Sequence, residues 1–309
     1  MDRDTREALG DILGFRTTPA IGKFLGIPIK SLSSSSQDFN FVLDRVKQKL
    51  VGWKANLLSL ARRAILVQAS LVTIPVYAMQ CTYLPNKILE GIDLVNRNFL
   101  WGTTDQVRRM HWVSWSKITR PKVKGGLGLQ TIKGKNITLL AKLNWRFHTK
   151  GEALWARVLK NKYCSQLRVR SRNQDKLPCS RIWTGMKKGK NVFKLGTRWI
   201  LGRNSQLRFW FDNWSNQVPL RQVIQGPLPL ASEEDKVADV FTNLGCNYDE
   251  IPFEFPPNNR KEIQATPISI VANRQDKLIW MGGKHGDFDL RSAYKLAMDL
   301  GPPQPFHGS

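Results

Sequence analysis

The chain has 309 residues, with 48 lysines and arginines against 24 aspartates and glutamates, so its formal net charge is +24. Its 41% hydrophobic and 10% aromatic residues are enough to build folded cores, and its length predicts two or three subdomains. A positive net charge of this size favours a polyanionic partner, which we expect to be RNA or DNA bound through its phosphates. We expect no small-molecule substrate.

Targeting and redox signals are weak. The first residues, MDRDTREALGD, are too polar for a signal peptide. The longest apolar stretch, residues 64–79, contains several polar residues and Pro75, and it is shorter than the roughly 20 residues that span a bilayer. Neither the four cysteines nor the four histidines have metal-ligand spacing. The sequence therefore predicts an intracellular, nuclear protein with reduced cysteines, no cofactor, no metal and no membrane partner.

The excess charge lies in one segment. Residues 97–210 hold 27 lysines and arginines and three acids, whereas the rest of the chain holds 21 of each sign. A solvated surface does not need such a run, because mixed charges solvate equally well. We therefore predict that this segment contacts nucleic acid. The candidate contact residues are Arg108, Arg109, Lys122, Lys124, Lys133, Lys135, Lys142, Arg146, Lys160, Lys162, Lys187, Lys188, Lys190 and Arg208.

Tryptophan is concentrated in the same segment and its border. Nine of the chain's 11 tryptophans lie between residues 101 and 214. Basic grooves with interleaved aromatics bind single-stranded nucleic acid by stacking. Tryptophan at regular spacing is more often a core residue, with Lys and Arg on the opposite face. We predict a core position for each individual tryptophan.

Apolar periodicity predicts three helices over residues 39–102. The first carries Val42, Val46 and Leu50 on one face. The second begins after the N-cap residue Ser59, is expected to be buried on most sides, includes Leu66 and ends or kinks at Pro75. The third begins at Pro85 and stops at Gly102. Its predicted core residues are Ile92, Val95 and Phe99.

The basic segment continues as a loop with glycines over residues 108–128 and then as helices over 136–149, 152–163 and 180–188. Residues 199–201 and 207–210, joined by a turn-forming sequence, predict a β-hairpin. After Trp214 the sequence becomes rich in proline and loses its basic bias, and helical segments are predicted near 233–241 and 291–299.

Motifs placed along these segments resemble the region that follows the palm in reverse transcriptases of plant non-LTR, LINE-type retrotransposons. The runs that carry the resemblance are GKFLGIP at 22–28, LVGWKA at 50–55, LSLARR at 58–63, IPVYAMQ at 74–80, NFLWG at 98–102, GGLGL at 125–129 and FWFDNW at 209–214. Further matches are Arg109, His111, Val113, Trp115, Pro121, Lys122, Leu154, Trp155, Lys162, Tyr163, Ile182 and Trp183. Together they cover most of the chain.

The resemblance implies four segments: the end of a polymerase palm (1–30), a helical thumb-like unit (31–102), a basic Trp-rich connector (103–215) and a segment leading towards a zinc-binding domain (216–309). The predicted fold class is α+β, mainly α, with a three-helix thumb-like unit followed by a basic helical connector with a β-hairpin. The family's paired catalytic aspartates precede the GKFLGIP motif, so we expect no catalytic residue here. The implied function is to clamp template-primer or element RNA, with a polymerase domain supplied in trans.

Other chemistry is less well supported. Asp287 and Asp289 would share one face of a strand and suit a metal, but solvated surface acids are commoner. His111 with Cys164 could form a nucleophile pair, although nothing in the sequence orients them. The run at 125–128 lacks the Lys-Ser/Thr of a P-loop and predicts a turn. An inactive retrotransposon relic and an autonomous reverse transcriptase remain alternatives.

Overall fold

The computed structural model describes residues 11–12, 14, 23–24 and 27–28, then 36–164 without 54–56 and 105, and 179–299 without 203, 213 and several short stretches between 216 and 274. Contacts divide the chain into two units. Unit 1 contains residues 1–78, 84–132 and 173–178, and unit 2 contains residues 79–83, 133–172 and 179–309.

The described chain is mainly helical, with three short antiparallel strand pairs, as the fold class predicts. The α-helices are α1 (Asn40–Val51), α2 (Leu60–Leu66), α3 (Val76–Met79), α4 (Asn86–Trp101), α5 (Trp115–Ile118), α6 (Ile132–Thr149), α7 (Leu154–Tyr163), α8 (Arg181–Gly196), α9 (Val237–Val240), α10 (Pro257–Gln264) and α11 (Leu290–Asp299). The strands are β1 (Lys23–Phe24), β2 (Ile27–Pro28), β3 (Thr197–Ile200), β4 (Phe241–Thr242), β5 (Gly245–Cys246) and β6 (Lys277–Trp280). The pairs are β1 with β2, β3 with β6 and β4 with β5.

Helices α1 and α4 form the core of unit 1. Val42, Val46, Ile92 and Phe99 are buried, which confirms their predicted core positions. Leu50, Leu66 and Val95 are only half-buried, so the prediction was too broad for them. The reason is that each lies at the margin of an apolar stripe, where a helix surface turns from core to solvent.

Helix α2 begins where the sequence predicts. The Ser59 hydroxyl accepts a hydrogen bond from the backbone N–H of Arg62 (3.4 Å), which confirms Ser59 as the N-cap. The prediction that this helix is buried on most sides is wrong for residues 60–66, none of which is buried, and Ile65 is 65% exposed. A π-helical turn, Val67–Leu71, shifts the helical phase, and burial starts at Val67.

Helix α4 ends at Gly102, as predicted, because this glycine adopts a left-handed conformation (φ 73°). The Arg63 guanidinium donates hydrogen bonds to the carbonyls of Leu58 (3.1 Å) and Leu100 (2.9 Å). A cation at the C-terminus of α4 neutralises carbonyls that have no partner within the helix. Arg63 therefore fastens α2 to the end of α4.

Unit 2 is organised by close contact between α6 and α8. A Cβ added at Gly189 would lie 2.5 Å from the carbonyl carbon of Leu140 and 2.6 Å from the backbone nitrogen of Ala141. The buried Asn144 amide donates to the carbonyls of Leu140 and Met186 (both 2.9 Å) and so joins the two helices. Helix α8 extends to residue 196, eight residues past its predicted end, because its glycines allow close packing rather than ending the helix.

The predicted hairpin is wrong in its pairing. Residues 197–200 do form strand β3, but β3 pairs with β6 in the register Thr197 to Trp280. Residues 207–210 are turns with one isolated bridge from Arg208 to Lys236. The Asp276 carboxylate accepts hydrogen bonds from the Gly202 N–H (2.9 Å), the Ser205 hydroxyl (3.0 Å) and the Gln206 N–H (3.1 Å). Asp276, which is distant in sequence, thus fixes Gly202, Ser205 and Gln206 where a hairpin turn was predicted.

The C-terminal half of unit 2 has a large aromatic core. Phe209, Trp210 and Trp214 are buried together, and the Trp214 indole donates to the Phe209 carbonyl (2.7 Å). Trp280 is buried between α8 and α11 and donates to the Ser292 hydroxyl (2.8 Å). No helix in the described part of the chain combines the length and apolar character needed to cross a lipid bilayer.

Candidate nucleic-acid interface

The fourteen candidate contact residues divide between the two units. Arg108, Arg109, Lys122 and Lys124 belong to unit 1, and the other ten belong to unit 2. Twelve of the fourteen are exposed, and Lys133 and Lys135 are half-buried. The helices of the basic segment thus turn many of their apolar residues inward, although Leu154, Val158 and Ile182 are exposed, and they leave most of their cations in solvent.

Two cationic stripes run along the surface of unit 2. On α6, Lys135, Lys142 and Arg146 are separated by seven and four residues, so they lie on one side of the helix over about 16 Å. On α8, Lys187, Lys190 and Lys194 are separated by three and four residues and share one side in the same way. The opposite sides of both helices form the contact between them.

Cations of two helices converge beside His148, at the end of α6. The His148 ring lies flat on Phe193, with centroids 4.8 Å apart, although the residue keeps contact with solvent. Burial of the ring lowers the pKa of His148 to about 4, and the nearby Lys160 and Lys190 ammonium groups add to this effect, opposed by Asp212. His148 is therefore neutral at pH 7. We call Lys160 and Lys190, beside His148, the lysine cluster, and Lys190 also interacts with Lys194.

The charges of the lysine cluster also act on Cys164, and its ammonium groups repel neighbouring cations. Burial raises the pKa of the Cys164 thiol, and Lys160 and Lys190 oppose that rise. Burial, with a contribution from Lys190, lowers the pKa of Lys194. Like charges held this close disfavour one another, and an anion between them would relieve the repulsion. Sequence reasoning missed His148, because its proximity to Lys160 arises only in the folded chain.

Several candidate cations lie over aromatic rings of unit 2. Arg146 lies over Trp155 (5.8 Å), Lys162 over Tyr163 (5.5 Å) and Lys188 over Tyr83 (5.8 Å). Such contacts orient a long side chain while its charged end stays near the surface. Arg208 differs from these residues, because it pairs with Asp212 (3.7 Å) and lies over Phe211 (5.4 Å). A neighbouring carboxylate makes Arg208 the weakest of the candidate phosphate contacts.

In unit 1 the basic residues lie on a folded loop, residues 103–128. A turn joins Thr104 to Val107 through two hydrogen bonds of 2.9 and 3.0 Å. His111 stacks on Trp101 (6.2 Å between centroids) and shares a hydrogen bond of 3.3 Å with the Thr103 hydroxyl. Burial lowers the pKa of His111, with help from Arg97 and Arg108. His111 is thus an anchor of the loop.

The glycine run of this loop is a turn, as predicted. Gly125 and Gly128 have positive φ angles of 79° and 70°. A Cβ at Gly126 would lie 2.0 Å from the Arg120 carbonyl oxygen, so the run packs against the chain's own backbone. The turn presents Lys122 and Lys124 to solvent.

Most of the tryptophans are packed, as the core interpretation predicts. Trp210 and Trp214 are fully buried. The half-buried tryptophans of the basic segment are Trp101, Trp115, Trp145, Trp155, Trp183 and Trp199. Trp112 contradicts the core interpretation, because it is 78% exposed. The signal that could have identified it is its position inside a predicted loop between basic residues.

The acidic pair considered for a metal has another role. Asp287 is exposed, and residues 287–289 are not a strand. The Asp289 carboxylate accepts the Ser292 N–H (2.8 Å), and this bond lowers the pKa of Asp289, as expected for an N-cap of α11. Among the residues that the structure describes, no three His, Cys, Asp or Glu side chains come close enough to hold a metal ion.

Comparison with known proteins identifies relatives in a plant. A protein of Arabidopsis thaliana named "putative ribonuclease H protein" is 32% identical over 282 residues, which are 90% of this chain and 46% of that protein. An "uncharacterized mitochondrial protein" of the same plant is 26% identical over 151 residues, which are 48% of this chain and 97% of that protein. The chain thus spans less than half of the first relative's length. No family model matches the chain.

Proposed function

We propose that this chain is a nucleic-acid-binding part of a plant retroelement protein, which clamps template-primer or element RNA through phosphate contacts and performs no catalysis itself. The observation that carries the proposal is the exposure of twelve of the fourteen candidate cations in a segment of 114 residues with three acids. The longer relative is named a putative ribonuclease H protein, and a ribonuclease acts on nucleic acid. This name agrees with a retroelement origin.

The distribution of charge supports a polyanionic ligand. Between Asp105 and Glu152 the chain contains no acid, so the bases of residues 106–128 and of α6 lie in a stretch without a carboxylate. In unit 2 the lysine cluster brings two ammonium groups near a neutral histidine, and Lys190 also acts on Lys194. Bound phosphates would reduce this repulsion and release condensed counterions, which provides most of the affinity for nucleic acid.

The arrangement favours contacts to the backbone over contacts to base edges. The cations are spread along stripes on α6 and α8 instead of converging on one pocket with hydrogen-bonding amides. Phosphate contacts fix position and carry little sequence information. We therefore propose binding with weak sequence preference, in which the element's own RNA and a scrambled RNA compete equally.

Nucleotide transfer and ribonuclease H chemistry both use carboxylates around magnesium. Asp289 caps helix α11, and Asp287 is exposed to solvent. We propose on this basis that the chain acts by binding, beside a polymerase domain supplied in trans.

Salt-dependent binding tests the proposal. Anisotropy of a labelled DNA duplex is measured with the purified chain across a range of salt concentrations. If about six phosphates are engaged, log K against log salt has a slope of about −5 for this duplex, and a smaller slope for a single strand. Binding that does not change with salt would refute the phosphate-contact mechanism. The absence of binding at low salt would refute the function.

A further inference from the structure

Trp112 is unusually exposed for a tryptophan side chain. Tryptophan is one of the most buried residue types on average, because its side chain can remove about 150–250 Å² from water. In this chain Trp112 is 78% exposed, whereas the preceding His111 is stacked on Trp101. The anchored histidine thus holds the loop in a conformation that presents the next side chain to solvent.

The surroundings of Trp112 are cationic. Residues 106–131 contain six bases and no acid. Arg109 is three residues before Trp112 and Lys117 is five residues after it, so their Cα atoms lie within about 11 and 18 Å of it, since a chain spans at most ~3.6 Å per residue. All of Arg108, Arg109 and Lys117 are exposed. Exposed cations therefore lie on both sides of Trp112 in the sequence.

We propose that Trp112 is a stacking site for an unpaired base of single-stranded nucleic acid, with Arg108, Arg109 and Lys117 on the adjoining phosphates. This inference rests on the proposed nucleic-acid binding and adds a preference for single strands at this loop. A base in a duplex already stacks on its neighbours, whereas a splayed base offers its face to an exposed aromatic ring.

The alternatives fit the loop less well. A protein partner would need an acidic surface to match residues 106–131, which contain six bases and no acid. A membrane-binding segment needs a continuous apolar face, usually on a helix. The described residues 107–114 are not helical, and Met110 is the exposed apolar side chain nearest to Trp112 in sequence on its N-terminal side. The membrane alternative is an outcome of the test.

The test compares a uridine-only RNA oligonucleotide with an RNA duplex of equal length, using the full chain and anisotropy. Trp112→Ala is expected to weaken binding of the single strand by roughly 5- to 150-fold, the effect of about 1–3 kcal/mol of base stacking, and to leave duplex binding unchanged. Trp112→Phe is expected to retain most of the affinity. Met110→Ala removes an equally accessible but non-aromatic side chain (71% exposed) and is expected to have little effect.

A second measurement does not depend on the alanine variant folding. The RNA single strand is expected to quench tryptophan fluorescence of the wild type more than that of Trp112→Phe. Equal quenching, or equal losses for Trp112→Ala and Met110→Ala, or equal losses on both RNAs, would overturn the stacking site while leaving phosphate binding intact. Quenching by anionic phospholipid vesicles but not by RNA would overturn it in favour of a membrane. Failure to bind either RNA would remove the proposed function as well.

Discussion

The contact between α6 and α8 gives a prediction that can be worked out from distances. In Gly189→Ala the new Cβ would stand 2.5 Å from the Leu140 carbonyl carbon and 2.8 Å from the Leu140 oxygen. Ordinary contacts lie near 3.5–4.0 Å, so the helices must separate by about 1 Å. The obstacle is backbone and cannot rotate away.

The magnitude follows from two opposed effects. Overpacking of this kind costs about 1–3 kcal/mol, and alanine recovers about 1 kcal/mol of helix propensity relative to glycine. We expect the free energy of unfolding to fall by up to about 2 kcal/mol, or the midpoint temperature of unit 2 by up to roughly 8 °C. Circular dichroism during thermal unfolding measures this change.

Gly91 of α4 is the matched control. A Cβ there would lie 3.3 Å from the Leu43 side chain, which can rotate. Gly91→Ala is therefore expected to leave stability unchanged or raise it by up to about 1 kcal/mol. If Gly189→Ala behaved like Gly91→Ala, the close contact between α6 and α8 would be refuted.

Three further outcomes are expected. Burial raises the pKa of the Asp93 carboxyl to about 6. The folded state therefore binds this proton more tightly than the unfolded state, and the free energy of unfolding falls as pH rises from about 4 to 6. Asp93→Asn should raise the free energy of unfolding at pH 8 by about 1–3 kcal/mol and have no effect near pH 4. Since burial is the main cause of the low pKa of His148 (about 4), Lys190→Gln should raise that pKa but keep it below 6.5 in an NMR titration. A pKa of 6.5 or more in the wild type would remove the lysine cluster from the account. With magnesium, primer-template and nucleotides, the purified chain should extend no primer, and Asp289→Asn should leave any trace activity unchanged, since a loss would reveal a catalytic carboxylate.

Local signals in the sequence predicted much of the helical framework. Ser59 and Gly102 act through their own hydrogen bonds and backbone conformation, so a short stretch of sequence contains the information.

Long-range interactions explain what the sequence did not predict. The β3 strand was expected, but its partner β6 lies about 80 residues away along the chain, and Asp276 holds the intervening turn in another shape. The predicted helix over 180–188 stopped one residue before Gly189, whereas Gly189 lies inside α8 and provides the close contact with α6. The candidate cations were chosen from composition, which predicts exposure, but composition does not reveal that Lys160 and Lys190 share a neighbour in His148.

A charge-reversal pair tests the central claim, that nucleic acid is bound by the basic segment and not by the net charge of the chain. One variant changes six exposed lysines of the segment to Glu, and the other changes six exposed lysines outside it. The first set is Lys122, Lys124, Lys142, Lys187, Lys188 and Lys190, and the second is Lys47, Lys49, Lys261, Lys277, Lys284 and Lys295. Both variants have the same net charge, so only the position of the charge differs.

The measurement is the slope of log K against log salt for each variant on one RNA duplex. The first variant is expected to lose most of the affinity and most of the slope, because the released counterions come from phosphates that these lysines contact. The second variant is expected to keep a slope close to that of the wild type. Equal losses in the two variants would show that binding depends on total charge alone and would contradict the assignment of the interface to residues 97–210.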